Sequence, residues 1–144
     1  MRRRVPASSS QNRSSRFLET CLGVDLVEYK KAKTFYTEHR GRLPDYFDKS
    51  EVSLIRKARR PYESLAMLLA AKEAVFKSSD LPWMGPEGFR KIRIVRRKNA
   101  ELSFRLKGDF KRGFPDGSVS SLFILKKKNY VVAGCRTSHL RNGL

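Results

Sequence analysis

Acidic residues are scarce in this 144-residue chain: 14 Asp and Glu stand against 32 Lys and Arg, a formal net charge of +18. Such a balance draws anionic partners, whether nucleic acid, an anionic membrane, an acidic protein or a phosphorylated ligand, and says nothing about the fold. Long hydrophobic runs are missing as well. No apolar stretch approaches the roughly 20 residues of a membrane-spanning helix, so no membrane partner is expected. The N-terminal stretch lacks the apolar segment of a secretory signal. There are two cysteines, Cys21 and Cys135, both in strand-like apolar stretches. Buried free thiols in the reducing cytoplasm suit them better than a disulfide. Only two histidines occur, His39 and His139, in polar contexts and without an HExxH motif or a Cys/His cluster, which excludes zinc chemistry. A GxxxxGK[ST] loop, a GxGxxG turn after a strand and a GxSxG elbow are all absent, which removes the common phosphate-loop, dinucleotide and serine-nucleophile classes.

What is present divides into a tail and one domain. Residues 1–16 hold five Arg, five Ser and no acid. They cannot bury enough apolar surface to fold, so a disordered basic tail is expected, followed by a single domain over 17–144. The same composition fits an organelle transit peptide less well, because it shows little amphipathic periodicity.

From there the pattern alternates. "CLGVDLVEY" reads as a strand with Leu22, Val24 and Leu26 on one face and Asp25 on the other, beside Gly23. "KKAKTFYTEH" reads as a short helix or turn, broken at "RGRLPDY". Asp48 and Glu51, three apart, form a capping arrangement for the helix "DKSEVSLIRKAR". From about Ser64 to Lys77 the chain is apolar nearly all round, which predicts a central helix touched on several sides. "SSDLPWMGPEG" is a loop. "FRKIRIVRR" and "ELSFRLK" predict one hairpin, and "SVSSLFIL" and "NYVVAGCR", joined through "KKKN", a second. Helices beside a strand-rich frame give an α+β fold, helices packed on a mainly antiparallel sheet.

Within the central helix, "LLAAKEAVFKSSD" places Lys72 and Glu73 among apolar neighbours. Glu73 and Lys77 are four apart and share a face, whereas Lys72 points about 100° away. The plain reading is an intrahelical salt bridge between Glu73 and Lys77. The alternative is that Glu73 meets Asp25, a residue type depleted in strands. Two carboxylates brought together repel unless a proton or cation lies between them, and oxygen donors suit a hard ion such as Mg²⁺ with substrate phosphates. Glu28 would face away from Asp25 in strictly extended geometry. The stripe "FRKIRIVRRKNAELSFRLKGDFKR", ten Lys or Arg against two acids with three interleaved Phe, could instead be a nucleic-acid face. The phenylalanines at strand spacing are more simply core.

In this order, "GVDLVE", "FDKSEV", "LAAKEAVFK" and the final "NYVVAGC" resemble holo-acyl-carrier-protein synthase, the small trimeric class of 4′-phosphopantetheinyl transferases. The resemblance implies movement of the phosphopantetheine arm of coenzyme A onto a serine of an acidic apo acyl carrier protein, with release of adenosine 3′,5′-bisphosphate. It implies Mg²⁺ held by Asp25 and Glu73, phosphate contact and leaving-group neutralisation by Lys77, and a coenzyme-binding place for Lys72 and Lys77. Glu73 or a metal-bound water would take the serine proton. Lys31 would dock the carrier, and the assembly would be a homotrimer with sites between subunits. The chain departs from the family pattern at the coenzyme end: Leu68 stands where an Arg is usual, and Phe123, Leu125 and Lys126 stand in place of a Ser-x-Ser/Thr-His run. Two other readings stay open: a relative that has lost catalysis and keeps carrier docking, and a basic nucleic-acid-binding module.

Overall fold

The computed structural model describes residues 15–82, 85–99 and 101–143. The chain opens with β1 (Arg16–Glu28), which runs straight into α1 (Tyr29–His39). A 3₁₀ turn over Arg40–Arg42 and a single-turn helix α2 (Leu43–Tyr46) follow, then α3 (Lys49–Lys57) and the long α4 (Pro61–Lys77). A short helix α5 (Pro86–Lys91) leads into β2 (Ile92–Arg96) and β3 (Leu102–Leu106). After a 3₁₀ segment over Gly108–Gly113 come β4 (Val119–Lys126) and β5 (Tyr130–Asn142).

Local chemistry accounts for several boundaries. Asp48 caps α3: its side chain accepts from the Glu51 backbone N–H while Glu51 reaches back to the Asp48 N–H. This reciprocal box is the one its spacing predicts. Pro61 opens α4, where a missing N–H costs nothing. Both expected hairpins form, with β2 antiparallel to β3 and β4 antiparallel to β5.

The sheet order β1-β5-β4 places the last strand between the first and the fourth, and β2-β3 form a separate two-stranded sheet. The architecture is thus α+β with antiparallel strands, as expected. Several boundaries differ: β5 runs on to Asn142 rather than ending at Arg136, and α4 starts at Pro61 rather than near Ser64. "PEGFRK" is helical, rather than the end of a loop followed by the start of a strand: Pro86 opens it, and Phe89 is buried. β1 begins at Arg16, because pairing with β5 runs from Arg16↔Asn142 to Glu28↔Tyr130. Two residues of the stretch read as a tail, Ser15 and Arg16, are therefore placed, and residues 1–14 lie outside the described ones, as do Trp83 and Met84 of the predicted loop.

The core lies between α4 and the inner face of the three-stranded sheet, with α1, α3 and β2 packed on the rest of the helix. Leu65, Leu68, Ala71 and Val75 of α4 are fully buried, as are Val131, Ala133 and Cys135 of β5. Cys21 and Cys135 are both free thiols. The sheet's outer face is different: Leu22, Val24, Leu26, Phe123 and Leu125 lie on it, each about half exposed.

Gly23 sets how closely β1 and α4 approach. A Cβ there would lie 2.0 Å from the Ala74 carbonyl oxygen and 2.6 Å from the Ser78 backbone nitrogen. Neither atom can move without moving the helix. Gly23→Ala should therefore cost about 1–3 kcal/mol, the usual penalty of overpacking, read as a lower urea midpoint at unchanged slope.

Candidate active site

Beyond Gly23, the next inward-facing residue of β1 is Asp25, with Ala133 of β5 as its cross-strand partner. Because Gly23 lets the strand lie on the backbone of α4, Asp25 comes within reach of the helix's C-terminal turn. Lys77 donates to Asp25 Oδ1 at 2.9 Å and to the Val24 carbonyl at 3.3 Å. Asp25 is largely covered, whereas the Lys77 side chain is half exposed. Lys77 therefore crosses to the strand, rather than forming the simple i,i+4 bridge to Glu73.

Glu73 sits one turn before Lys77 and is partly buried. Its carboxyl is held above the ordinary glutamate range, first by burial and then by the negative charge of Asp25, with Lys77 partly offsetting both. The structure thus brings Asp25, Glu73 and Lys77 together, two carboxylates and one ammonium at the junction of β1 and α4. Hard oxygen donors in a pair, one already holding a cationic nitrogen, fit a divalent cation such as Mg²⁺, which keeps several waters or phosphate oxygens. No group of three or more His, Cys, Asp or Glu able to hold a metal occurs among the described residues.

Lys72 is placed elsewhere, and this corrects the expectation of a coenzyme-binding role. It is completely buried, and its ammonium donates to Glu51 Oε1 at 2.7 Å and to the carbonyls of Phe89 and Ile92. An ammonium has three N–H donors, and all three are taken inside the protein. Of the two adjacent charges, the buried one is thus the lysine. The partner Glu51 is recognisable in the sequence as a capping residue. Its second task could have been sought by asking which carboxylate compensates a lysine in an apolar helix.

Lys31 is exposed on α1, near Lys30 and Lys33. Glu28, the last residue of β1, is exposed and lines a cleft of about 650 Å³ with Tyr29, Lys30, Arg60, Tyr62 and Lys128. At the coenzyme end of the resemblance, Leu68 is core, and Phe123 and Leu125 lie on the outer sheet face. The Phe123 ring covers Gly134 so closely that a Cβ there would overlap it.

With this geometry established, similarity to known proteins becomes informative. The model of the 4′-phosphopantetheinyl transferase superfamily matches residues 21–135, from the strand carrying Asp25 to the last core strand. The chain belongs to that superfamily. It is 32% identical over 90 residues to a holo-[acyl-carrier-protein] synthase of Clostridium kluyveri, covering 62% of this chain and 66% of that relative. The alignment therefore spans just under two thirds of the relative's length. Among solved structures, an apo synthase of Chronobacterium ammoniagenes superposes with a TM-score of 0.73 at 22% identity, over 87% of this chain and 100% of that one. The same organism's synthase in complex with coenzyme A gives 0.69 at 23% identity, over 88% and 99%. At such identities the likeness is one of fold.

The raised Glu73 carboxyl has a consequence for stability. Between the ordinary glutamate value and its raised native value, the native state holds a proton that the unfolded chain has released. The contribution of this group to stability is therefore full below the ordinary value and is lost as pH rises through the native one. In chelator-treated protein, Glu73→Gln should raise the urea midpoint at about pH 8 and lose that advantage as pH approaches the ordinary glutamate range of about 4.3. A variant less stable than the parent at pH 8 would contradict the electrostatic account.

Proposed function

We propose that this protein transfers the 4′-phosphopantetheine group of coenzyme A to a serine of an acidic apo acyl carrier protein, with Mg²⁺, releasing adenosine 3′,5′-bisphosphate. The observation that carries the reading is the convergence of Asp25, Glu73 and Lys77 at one strand–helix junction. Membership of the transferase superfamily and the likeness to a coenzyme A-bound synthase support it.

In chemical terms, the serine oxygen attacks the phosphorus that carries the pantetheine arm. The bond from that phosphorus to the bridging oxygen breaks, and the nucleotide leaves with the electron pair. Such transfers depend on positioning and charge neutralisation. Asp25 and Glu73 would hold the Mg²⁺, which when bound neutralises charge on the pyrophosphate. Lys77, half exposed at the end of its helix, places an ammonium where the phosphate charge develops. Glu73, whose carboxyl is held above the ordinary glutamate range, would accept the serine proton.

Carrier docking falls to the exposed lysines of α1, Lys31 foremost, with Lys30 and Lys33 near it. A net charge of +18 steers an acidic protein towards this surface. The outer face of the three-stranded sheet supports the homotrimer reading: Val24 and Phe123 flank Gly134 across the strands, and Leu26 and Leu125 flank Val132. A contiguous apolar surface of this kind marks an interface. Cytoplasmic location remains part of the proposal, and no helix among the described residues is long and apolar enough to cross a membrane.

One observation favours a second reading, a relative that docks carriers without catalysis. Leu68 is buried in the core where the resemblance calls for an arginine, so that position supplies no cation to the coenzyme.

Intact mass spectrometry of an apo carrier incubated with the protein, coenzyme A and Mg²⁺ distinguishes the two. The proposed activity adds one phosphopantetheinyl group. Asp25→Asn and Glu73→Gln should each slow the addition by about a hundredfold or more, as expected for charge-stabilising groups. Lys31→Glu should raise KM for the carrier several-fold, most strongly at low salt, and leave KM for coenzyme A unchanged. A carrier that binds but never gains mass would select the second reading.

The assembly is tested separately by light scattering. The parent should run at three times the chain mass of 16.6 kDa, and Phe123→Asp should lower it to the monomer. A parent monomeric at assay concentration would sink the trimer.

A further inference from the structure

The carboxylate of Glu51 joins three elements, α3, α4 and β2. Its Oε1 accepts from the Asp48 backbone N–H at 3.1 Å and from Lys72 Nζ at 2.7 Å, while Oε2 accepts from the Ile94 backbone N–H at 3.2 Å. The other two donors of Lys72 close on the carbonyls of Phe89 and Ile92, at the C-terminal end of α5, where aligned backbone dipoles favour a cation. Lys72 is 0% exposed and Glu51 2%. The ammonium also lies 5.2 Å from the centre of the Phe47 ring.

This placement matters because α4 has little else to define its rotation. A surface helix is oriented by its apolar stripe, but this one is apolar round most of its circumference. Leu65, Met67 and Leu68 are buried in different directions, with Val75 on the Leu68 face, and Ala66, Ala70, Ala71 and Ala74 present a smooth, small surface between them. Alanines can be turned against their neighbours at small cost. A buried ammonium cannot, since rotation would strand both charges without partners. Gly23 fixes the distance of the helix from β1, and the Lys72–Glu51 pair fixes its rotation from the opposite side.

Glu73 follows Lys72 by one residue, about 100° round the helix, and Lys77 follows Glu73 by four. The rotation at Lys72 therefore determines where both side chains point. We infer that the Lys72–Glu51 ion pair is a positioning device for the active site, setting α4 so that Glu73 and Lys77 face Asp25. Glu51 and Lys72 touch no substrate in this role and act through the helix. The inference rests on the reading of Asp25, Glu73 and Lys77 as the reacting group.

The test replaces both charges together. Glu51→Gln with Lys72→Met keeps the side chains close in size and leaves no lone buried charge, so the double variant is expected to fold cooperatively. Binding of Mn²⁺, standing in for Mg²⁺ and followed by electron paramagnetic resonance, should weaken about tenfold or more, as for other residues that orient metal-holding groups. In the mass assay, kcat should fall while KM for the carrier stays unchanged. A double variant with parental Mn²⁺ affinity and kcat would overturn the proposal, leaving the pair as scaffold only. If the double variant does not fold, Glu51→Asp, which keeps both charges but shortens the carboxylate's reach, is put through the same two measurements: weaker Mn²⁺ binding with lower kcat supports the proposal, and parental values overturn it.

Failure of the functional reading has its own signature: the parent would bind no Mn²⁺ that Glu73→Gln abolishes. The positioning claim is then decided by the crystal structure of whichever variant folds. A Lys77–Asp25 contact retained at the parental 2.9 Å overturns it. A helix turned so that this contact is lost supports it.

Discussion

At Gly23, strand β1 meets helix α4 backbone to backbone, with no side chain between them. The rest of the site follows from that approach. Two residues further along the strand, Asp25 faces the same way as Gly23 and so lies against the helix's last turn. Lys77 reaches it directly, and Glu73 feels its charge. With a larger residue at position 23 the two elements would stand apart, and two carboxylates remote in sequence would no longer share an environment. The small residues of α4 serve the same end, since Ala74 is the point of contact.

The neighbouring charges of "AAKEAV" have opposite fates because a helix sends successive side chains about 100° apart. Lys72 goes inward, where a carboxylate and two carbonyls satisfy it completely. Glu73 goes sideways towards the strand, where it is partly covered and meets a like charge. The first arrangement is closed and complete, as a structural ion pair must be when buried. The second is poised and electrostatically uneasy. Repulsion between carboxylates that a lysine only partly offsets is a frequent mark of a place where a cation or proton is handled.

Much of this was legible in the sequence where the governing interaction is local or periodic. The Asp48–Glu51 box, the two hairpins, the alternation that puts Asp25 opposite Leu22 and Val24, and the shared face of Glu73 and Lys77 all follow from spacing alone. Three features were not. Helix α5 was hidden because the alternation of "KIRIV" extends the strand pattern back over "FR", and only Pro86 hints at a helical start. The inward path of Lys72 depends on Glu51, 21 residues earlier, already assigned to a cap. The extension of β1 back to Arg16 is dictated by a partner strand more than a hundred residues away, which no local window contains. The plain salt bridge between Glu73 and Lys77 was also a reasonable expectation, and the strand's competing carboxylate removes it.

The register that joins Arg16 to Asn142 and Glu28 to Tyr130 bears on how the molecule comes into being. Among the described residues, β1 is hydrogen-bonded to β5 alone, and β5 leaves the ribosome after every other described element. Until then, β1 has no ladder, and α4 has only half of its cradle. Closing so long a loop is entropically slow, and strands that wait unpaired are the ones that aggregate. The alternating leucines and valine of β1 spend synthesis exposed along with its backbone. Asp25 is thus made before any described helix, and the strand that holds it in place is made after all of them.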